Sequence, residues 1–156
     1  MLGSDSFDLG KVIGIKPGSD LFDEVYNLVI NWKPQKRYRD HQGYRDDLLK
    51  FLRKNRPYPI EVKKEAGGSR CDIGVAKSVG IELKKDLKTK AEVDRLMGQL
   101  NEYRREYPLG LIVVLVGNTD EDRYDDVKTR VSRMVSEHSS IFGGLRIKVV
   151  NKGSLK

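Results

Sequence analysis

Three side chains stand at a spacing that could support metal-assisted chemistry. Glu82 and Lys84 lie two apart in the segment VGIELK, Val79 to Lys84, whose period-two pattern predicts a β-strand. Residues two apart on a strand leave the same face, so this acid and base emerge together while Ile81 and Leu83 turn toward a packed core. Asp72 falls on the preceding predicted strand, Arg70 to Ala76 (RCDIGVA), across a tight connection at Lys77 and Ser78. A hairpin so joined brings Asp72 beside Glu82. Two adjacent carboxylates repel unless a cation sits between them. Mg²⁺, or Mn²⁺ in its place, suits such a pair, being a hard ion that takes one or two carboxylates, keeps several waters and bridges to substrate phosphate. It would acidify a bound water, and Lys84 could orient that water or stabilise the charge developing at phosphorus. An acid and a lysine at this spacing also occur as a plain surface pair on a strand.

The elements that must position these groups follow from pattern. Asp20 to Trp32 carries Leu21, Val25, Leu28, Val29 and Trp32 at helical spacing, with Asp20 as N-cap. Lys33 to Gly43 (KPQKRYRDHQG) is basic, punctuated by Pro34 and Gly43, and reads as a loop or broken helix end. A second helix is expected from about Tyr44 to Asn55, stopped by Arg56-Pro57-Tyr58-Pro59. Ile60 to Ala66 is the first strand and Gly67-Gly68-Ser69 a turn before the Asp72 strand. After the Glu82 strand, Thr89 to Tyr107 predicts a long amphipathic helix, with Thr89 and Glu92 spaced as a capping box. Leu109 to Gly117 is almost uninterrupted apolar sequence, the mark of a central strand covered on both faces. A helix over Asp120–Ser140 and a strand over Leu145–Val150 complete the order α, α, β, β, β, α, β, α, β. The fold class is α/β, a mixed central sheet flanked by helices, with one right-handed βαβ crossover. The chain reads as a single domain over 1–156, its core from about 44 to 150, with 1–43 adding an N-terminal helix and basic loop.

Composition narrows the partners. Thirty Lys and Arg against twenty-three Asp and Glu give +7, which favours a polyanion such as DNA or serves only solubility. The basic residues gather at Lys33, Lys36, Arg37 and Arg39, at Arg53, Lys54 and Arg56, and at Lys84, Lys85, Lys88 and Lys90. With Tyr38, Tyr44 and Tyr58 nearby in sequence, they could hold phosphate and stack a base, or form ordinary solvated faces. A single cysteine, Cys71, excludes a disulfide framework and the usual zinc ligand sets, which makes a reducing, cytoplasmic setting the expectation. No apolar run reaches the length of a membrane span, and the first residues carry no visible signal peptide.

Asp72, Glu82-Leu83-Lys84 and the surrounding element order resemble the PD-(D/E)XK nuclease superfamily, which includes restriction endonucleases, archaeal Holliday junction resolvases and RecB-type exonucleases. The resemblance covers about Tyr44 to Val116 well and the remainder loosely. It implies a restriction endonuclease-like core (α-β-β-β-α-β-α-β) and Mg²⁺-dependent hydrolysis of DNA phosphodiester bonds, in repair or recombination for many members. By the same resemblance Asp72, Glu82 and the carbonyl of Leu83 bind the metal, and Lys84 assists the attacking water. A homodimer would suit cutting of two strands, although no interface is legible. Gln99 and Tyr103 form Q-x-x-x-Y on the following helix, as in the RecB-type branch, where the motif helps hold the site and the DNA strand. Their alternative is a core aromatic and a boundary residue. Two departures are Cys71 in place of proline before the first acid, and a Gly68-to-Asp72 spacing one residue longer than that branch's G-x-x-D. A further acid often comes from the preceding helix or strand, for which Asp47 and Glu65 compete. Either also reads as an exposed surface acid. His41 reads as a substrate contact, an accessory ligand or an exposed loop histidine.

Overall fold

A computed structural model describes residues 20–55, 59–62, 71–138 and 144–155. Its elements are α1 (Leu21–Asn31), α2 (His41–Asn55), β1 (Ile60–Val62), β2 (Ile73–Val75), β3 (Val79–Lys85), α3 (Lys90–Tyr103), β4 (Gly110–Val116), β5 (Asn118–Thr119), α4 (Glu121–Glu137), β6 (Ile147–Asn151) and β7 (Ser154–Leu155). Five strands form one sheet in the order β1-β2-β3-β4-β6. The β1–β2 and β2–β3 pairs are antiparallel, and β3–β4 and β4–β6 are parallel. The sheet is therefore mixed, with helices on both faces.

Each face carries its own core. Phe22, Val25, Leu28, Val29 and Trp32 of the α1 segment join Tyr44, Leu48 and Leu52 of α2 against Ile81 and Leu83 of β3 and Ile112 and Val114 of β4. On the opposite face, Val93, Leu96, Leu100 and Tyr103 of α3 pack with Val127 and Val131 of α4 against Leu111, Val113 and Leu115. All seven residues of β4 are buried, which is why its sequence lacks polar alternation. The N-terminal helix is thus part of the core rather than an addition to it. Among the described residues, no helix is long and apolar enough to cross a membrane.

Local chemistry explains the boundaries. Asp20 caps α1 through the Asp23 amide, and Thr89 with Glu92 forms the expected capping box on α3. The helix expected from Tyr44 begins three residues earlier, at His41. The Asp40 carboxylate accepts the Gly43 N–H at 2.9 Å, in the manner of an N-cap, so Gly43 lies inside the first turn. Glycine is required there by contact rather than by a break, because a Cβ would stand 2.5 Å from the Tyr38 ring. The helix predicted to reach Tyr107 ends at Tyr103, and the strand over Arg70–Ala76 shortens to Ile73–Val75. A pairing not expected from sequence is the small parallel ladder β5–β7, Asn118 opposite Ser154 and Thr119 opposite Leu155.

Candidate functional site

The β2–β3 hairpin sets the geometry. Its register pairs Val75 with Val79, Gly74 with Gly80 and Ile73 with Ile81. One further step would place Asp72 opposite Glu82 on the same face, but there the ladder stops. The Asp72 side chain takes over, its Oδ2 accepting the Leu83 N–H at 2.9 Å. In return the Asp72 N–H donates to Glu82 Oε1 at 3.1 Å. Across the opened end of the hairpin, the Asp72 carboxylate is thereby fixed by the Leu83 amide and the Glu82 carboxylate by the Asp72 amide. Asp72 is only 7% exposed and Glu82 only 4%, so neither is a solvated surface acid. Lys84 Nζ stands 3.3 Å from Glu82 Oε2, on the same face, as the two-residue spacing requires.

The residue before Asp72 is also held. Cys71 donates its N–H to the Tyr107 hydroxyl at 3.1 Å. Cys71 Sγ and the Tyr107 ring fill the space above Gly80, where a Cβ would meet the sulfur at 2.6 Å and the ring at 2.7 Å. Glycine at this strand position allows the close approach that sets the hairpin's open end.

The electrostatics separate the two acids. Burial and the charge of Asp72 push Glu82 up to about 7, against the pull of Lys84. Burial would raise Asp72 too, but the hydrogen bond and charge of His41, with the Leu83 amide, hold it below the usual range. His41, at the first position of α2, places Nε2 2.9 Å from Asp72 Oδ2. That bond raises the imidazole above its ordinary value against the opposing effect of burial. His41 is therefore a helix-start residue in direct contact with the first acid, not a loop histidine. Its signal was Asp40, three residues before Gly43, which starts the helix early enough to put His41 one turn before Tyr44.

The remaining predicted residues divide. Tyr103 is buried in the α3 core, and its hydroxyl is driven upward first by burial and then by the charges of Glu82 and Asp72. Gln99, one turn earlier, has a buried Oε1 with no hydrogen-bond partner among the described residues. Because β3 and β4 are parallel, α3 runs back over β3, and one helical turn (about 5.4 Å) nearly matches the step from Glu82 to Lys84 (about 6.6 Å). Gln99 thus lies toward the Lys84 end of the site.

Asp47 is employed elsewhere. It accepts Trp32 Nε1 at 2.9 Å, the Gln35 N–H at 2.8 Å and the Tyr38 hydroxyl at 2.6 Å. Those donors overcome its burial and keep its carboxyl low, while Asp47 drives the Tyr38 phenol up to about 12. Asp47 fastens the basic loop to α2. Tyr44 is buried and packs edge-on to Tyr38 at 5.1 Å, so it offers no free stacking face. Glu65, Arg56 and Tyr58 lie outside the described residues.

Chemically, the donor set is oxygen-rich and incomplete by itself. Among the described residues, no group of three or more His, Cys, Asp or Glu side chains is placed to hold a metal ion. The Asp72–Glu82 pair fits an ion that keeps most of its waters and needs only one or two carboxylates. A strand residue points its N–H and C=O to the same side, so the Leu83 carbonyl faces the side on which Asp72 holds the Leu83 N–H. No protein-family model, no curated protein and no solved structure matches this chain.

Proposed function

We propose that the protein is a Mg²⁺- or Mn²⁺-dependent nuclease that hydrolyses phosphodiester bonds in DNA on a restriction endonuclease-like core. The observation that carries this reading is the buried Asp72–Glu82 pair, locked by reciprocal backbone hydrogen bonds with Lys84 beside it. Burying two acids this close is costly and serves no packing purpose, so a cation is the economical occupant. Asp72, Glu82 and the Leu83 carbonyl would hold the ion, which supplies Lewis-acid polarisation of the phosphate and an acidified water. Lys84 orients the attacking water and offsets negative charge as the fifth oxygen approaches phosphorus. Gln99 supplies a buried acceptor for a proton of that water or of the Lys84 ammonium. The net charge of +7 favours the polyanionic substrate.

The test compares the protein with Asp72→Ala, Glu82→Ala and Lys84→Ala on linear, circular, single-stranded and branched DNA, with Mg²⁺, Mn²⁺ or EDTA. Cleavage should require metal and fall by about 10²–10³-fold or more in each variant, the scale for removing one transition-state charge partner. Cleavage that survives all three substitutions removes these residues from the active site.

A further inference from the structure

A second feature lies at the same end of the sheet and belongs to no part of the catalytic set. A pocket of about 340 Å³ opens between the basic loop, the first turn of α2 and the C-terminal strand. It is lined by Lys36, Arg37, Lys152, Ser154 and Tyr44 together with Gly117 and Gly153. The two glycines approach so closely that a Cβ on Gly153 would collide with the Gly117 backbone. No acid lines the pocket, and among the described residues none of its three cations pairs with a carboxylate. An acid, Asp86, stands against Gly117 and is already engaged by the Asn118 N–H at 2.7 Å and by the Lys85 ammonium.

Each cation has a contact of its own, and Lys36 Nζ stands 5.3 Å from the centre of the Tyr38 ring. Arg37 donates to Asn118 Oδ1 at 3.0 Å, and Lys152 donates to the Ile30 carbonyl. Burial and neighbouring Lys33 both press on the Lys152 charge. Three cationic residues lining one pocket with no acid in its wall are unfavourable on their own and complementary to an anion. Lys152 is placed by its N–H, which donates to the Leu115 carbonyl at 2.8 Å, and Ser154 by its N–H, which donates to the Gly117 carbonyl at 2.8 Å at the start of the β5–β7 ladder.

Its position relates it to the catalytic groups. Lys84 pairs with Leu115, and Gly117 follows two residues later. With strands about 4.8 Å apart and about 3.3 Å per residue, Lys84 and Gly117 are separated by about 8 Å. On the other side, Tyr44 lies one turn beyond His41, which touches Asp72.

We infer that the pocket formed by Lys36, Arg37, Lys152 and Ser154 binds a backbone phosphate of the nucleic-acid strand close to the bond that is cut. The distance from the cut rests on the proposed nuclease reading, whereas the phosphate site itself does not. Phosphate contacts of this kind fix register without reading sequence.

The experiment titrates the full-length protein with fluorescein-labelled duplex and single-stranded DNA in EDTA over a salt series. Wild type is compared with Lys36→Gln, Arg37→Gln, Lys152→Gln and the α4 surface control Lys128→Gln. Each pocket variant should weaken binding several-fold and flatten the slope of log K against log salt by about 0.9 for duplex or 0.7 for single strands. The control should match wild type. If DNA is cut, KM should rise in the pocket variants with kcat little changed. Lys36→Gln and Arg37→Gln alter exposed loop residues and keep the test decisive if Lys152→Gln fails to fold. Unchanged slopes in those two overturn the pocket while leaving any metal-dependent cleavage intact. Altered slopes without cleavage of any DNA support the pocket and overturn the nuclease. Calorimetric binding of inorganic phosphate that the variants lose, with unchanged DNA slopes, reassigns the site to a free anion and overturns the strand contact.

Discussion

At the scale of single residues, the site is a contest between burial and pairing. Glu82 holds its proton to about pH 7 in the folded chain against 4.5 as its ordinary value. Between those limits the unfolded chain releases a proton that the folded chain retains, so the contribution of this group to stability is lost as pH rises through the window. The cost approaches about 3 kcal/mol above pH 7. Glu82→Gln removes that cost. In EDTA the variant should melt close to wild type at pH 4.5 and some 5–10 °C above it at pH 8, since about 1 kcal/mol moves the midpoint by about 2–4 °C at this size. Mg²⁺ should narrow the gap by stabilising wild type alone. A gap that does not change with pH would refute the assignment of a strained acid. Asp72, Glu82 and Lys84 were legible in the sequence because period two on a strand and a short hairpin dictate their convergence. His41 was not, since its place depends on where a helix begins. The hydrogen bonds of Asp47 were not legible either, because an acid bordering an apolar stripe can equally serve a buried indole and a loop amide.

At the scale of elements, the hairpin between β2 and β3 aims the whole site, and its turn is under strain. Ala76 and Lys77 both adopt positive φ, 52° and 54°, and Ser78 closes the turn by donating its N–H to the Val75 carbonyl at 3.0 Å. Such a primed turn matches the twist of the strands but suits Asn-Gly rather than Ala-Lys. A left-handed conformation costs a residue with a Cβ about 1–2 kcal/mol. Lys77→Gly should therefore stabilise the protein by about 1 kcal/mol, raising its melting temperature a few degrees, and should leave metal-dependent cleavage unaltered because Lys77 sits in the turn, at the opposite end of the hairpin from Asp72 and Glu82. A lower melting temperature in this variant would show that the turn is not strained. The sequence located this turn to within a residue. It could not reveal that the Asp72 strand ends at Ile73, since the ladder there gives way to side-chain bonds that leave no periodic trace. The β5–β7 ladder was equally hidden, being two residues long on each side.

At the scale of the whole molecule, the question is what the smallest competent unit is. Composition and pattern suggested a core from about 44 to 150 with an appended N-terminal helix, but the packing contradicts the appended role. Phe22, Val25, Val29 and Trp32 are each 1% exposed or less and Leu28 is 5% exposed, all against α2 and the sheet face opposite Glu82. Burying a side chain of this size contributes about 1.5–3 kcal/mol, so the five together contribute about 7–15 kcal/mol. A domain's entire net stability is about 5–15 kcal/mol. The same helix segment anchors the basic loop through the bond from Trp32 to Asp47, and supplies the Ile30 carbonyl that holds Lys152. A chain beginning at Tyr44 should consequently lose cooperative thermal unfolding and near-ultraviolet circular dichroism. It should also lose binding to DNA at the C-terminal pocket, whereas a chain beginning at Gly18 should keep all three. Cooperative unfolding of the shorter chain with an unchanged midpoint would show that α1 contributes nothing to the core. It would also detach the placement of Lys152 from the packing that this structure gives it.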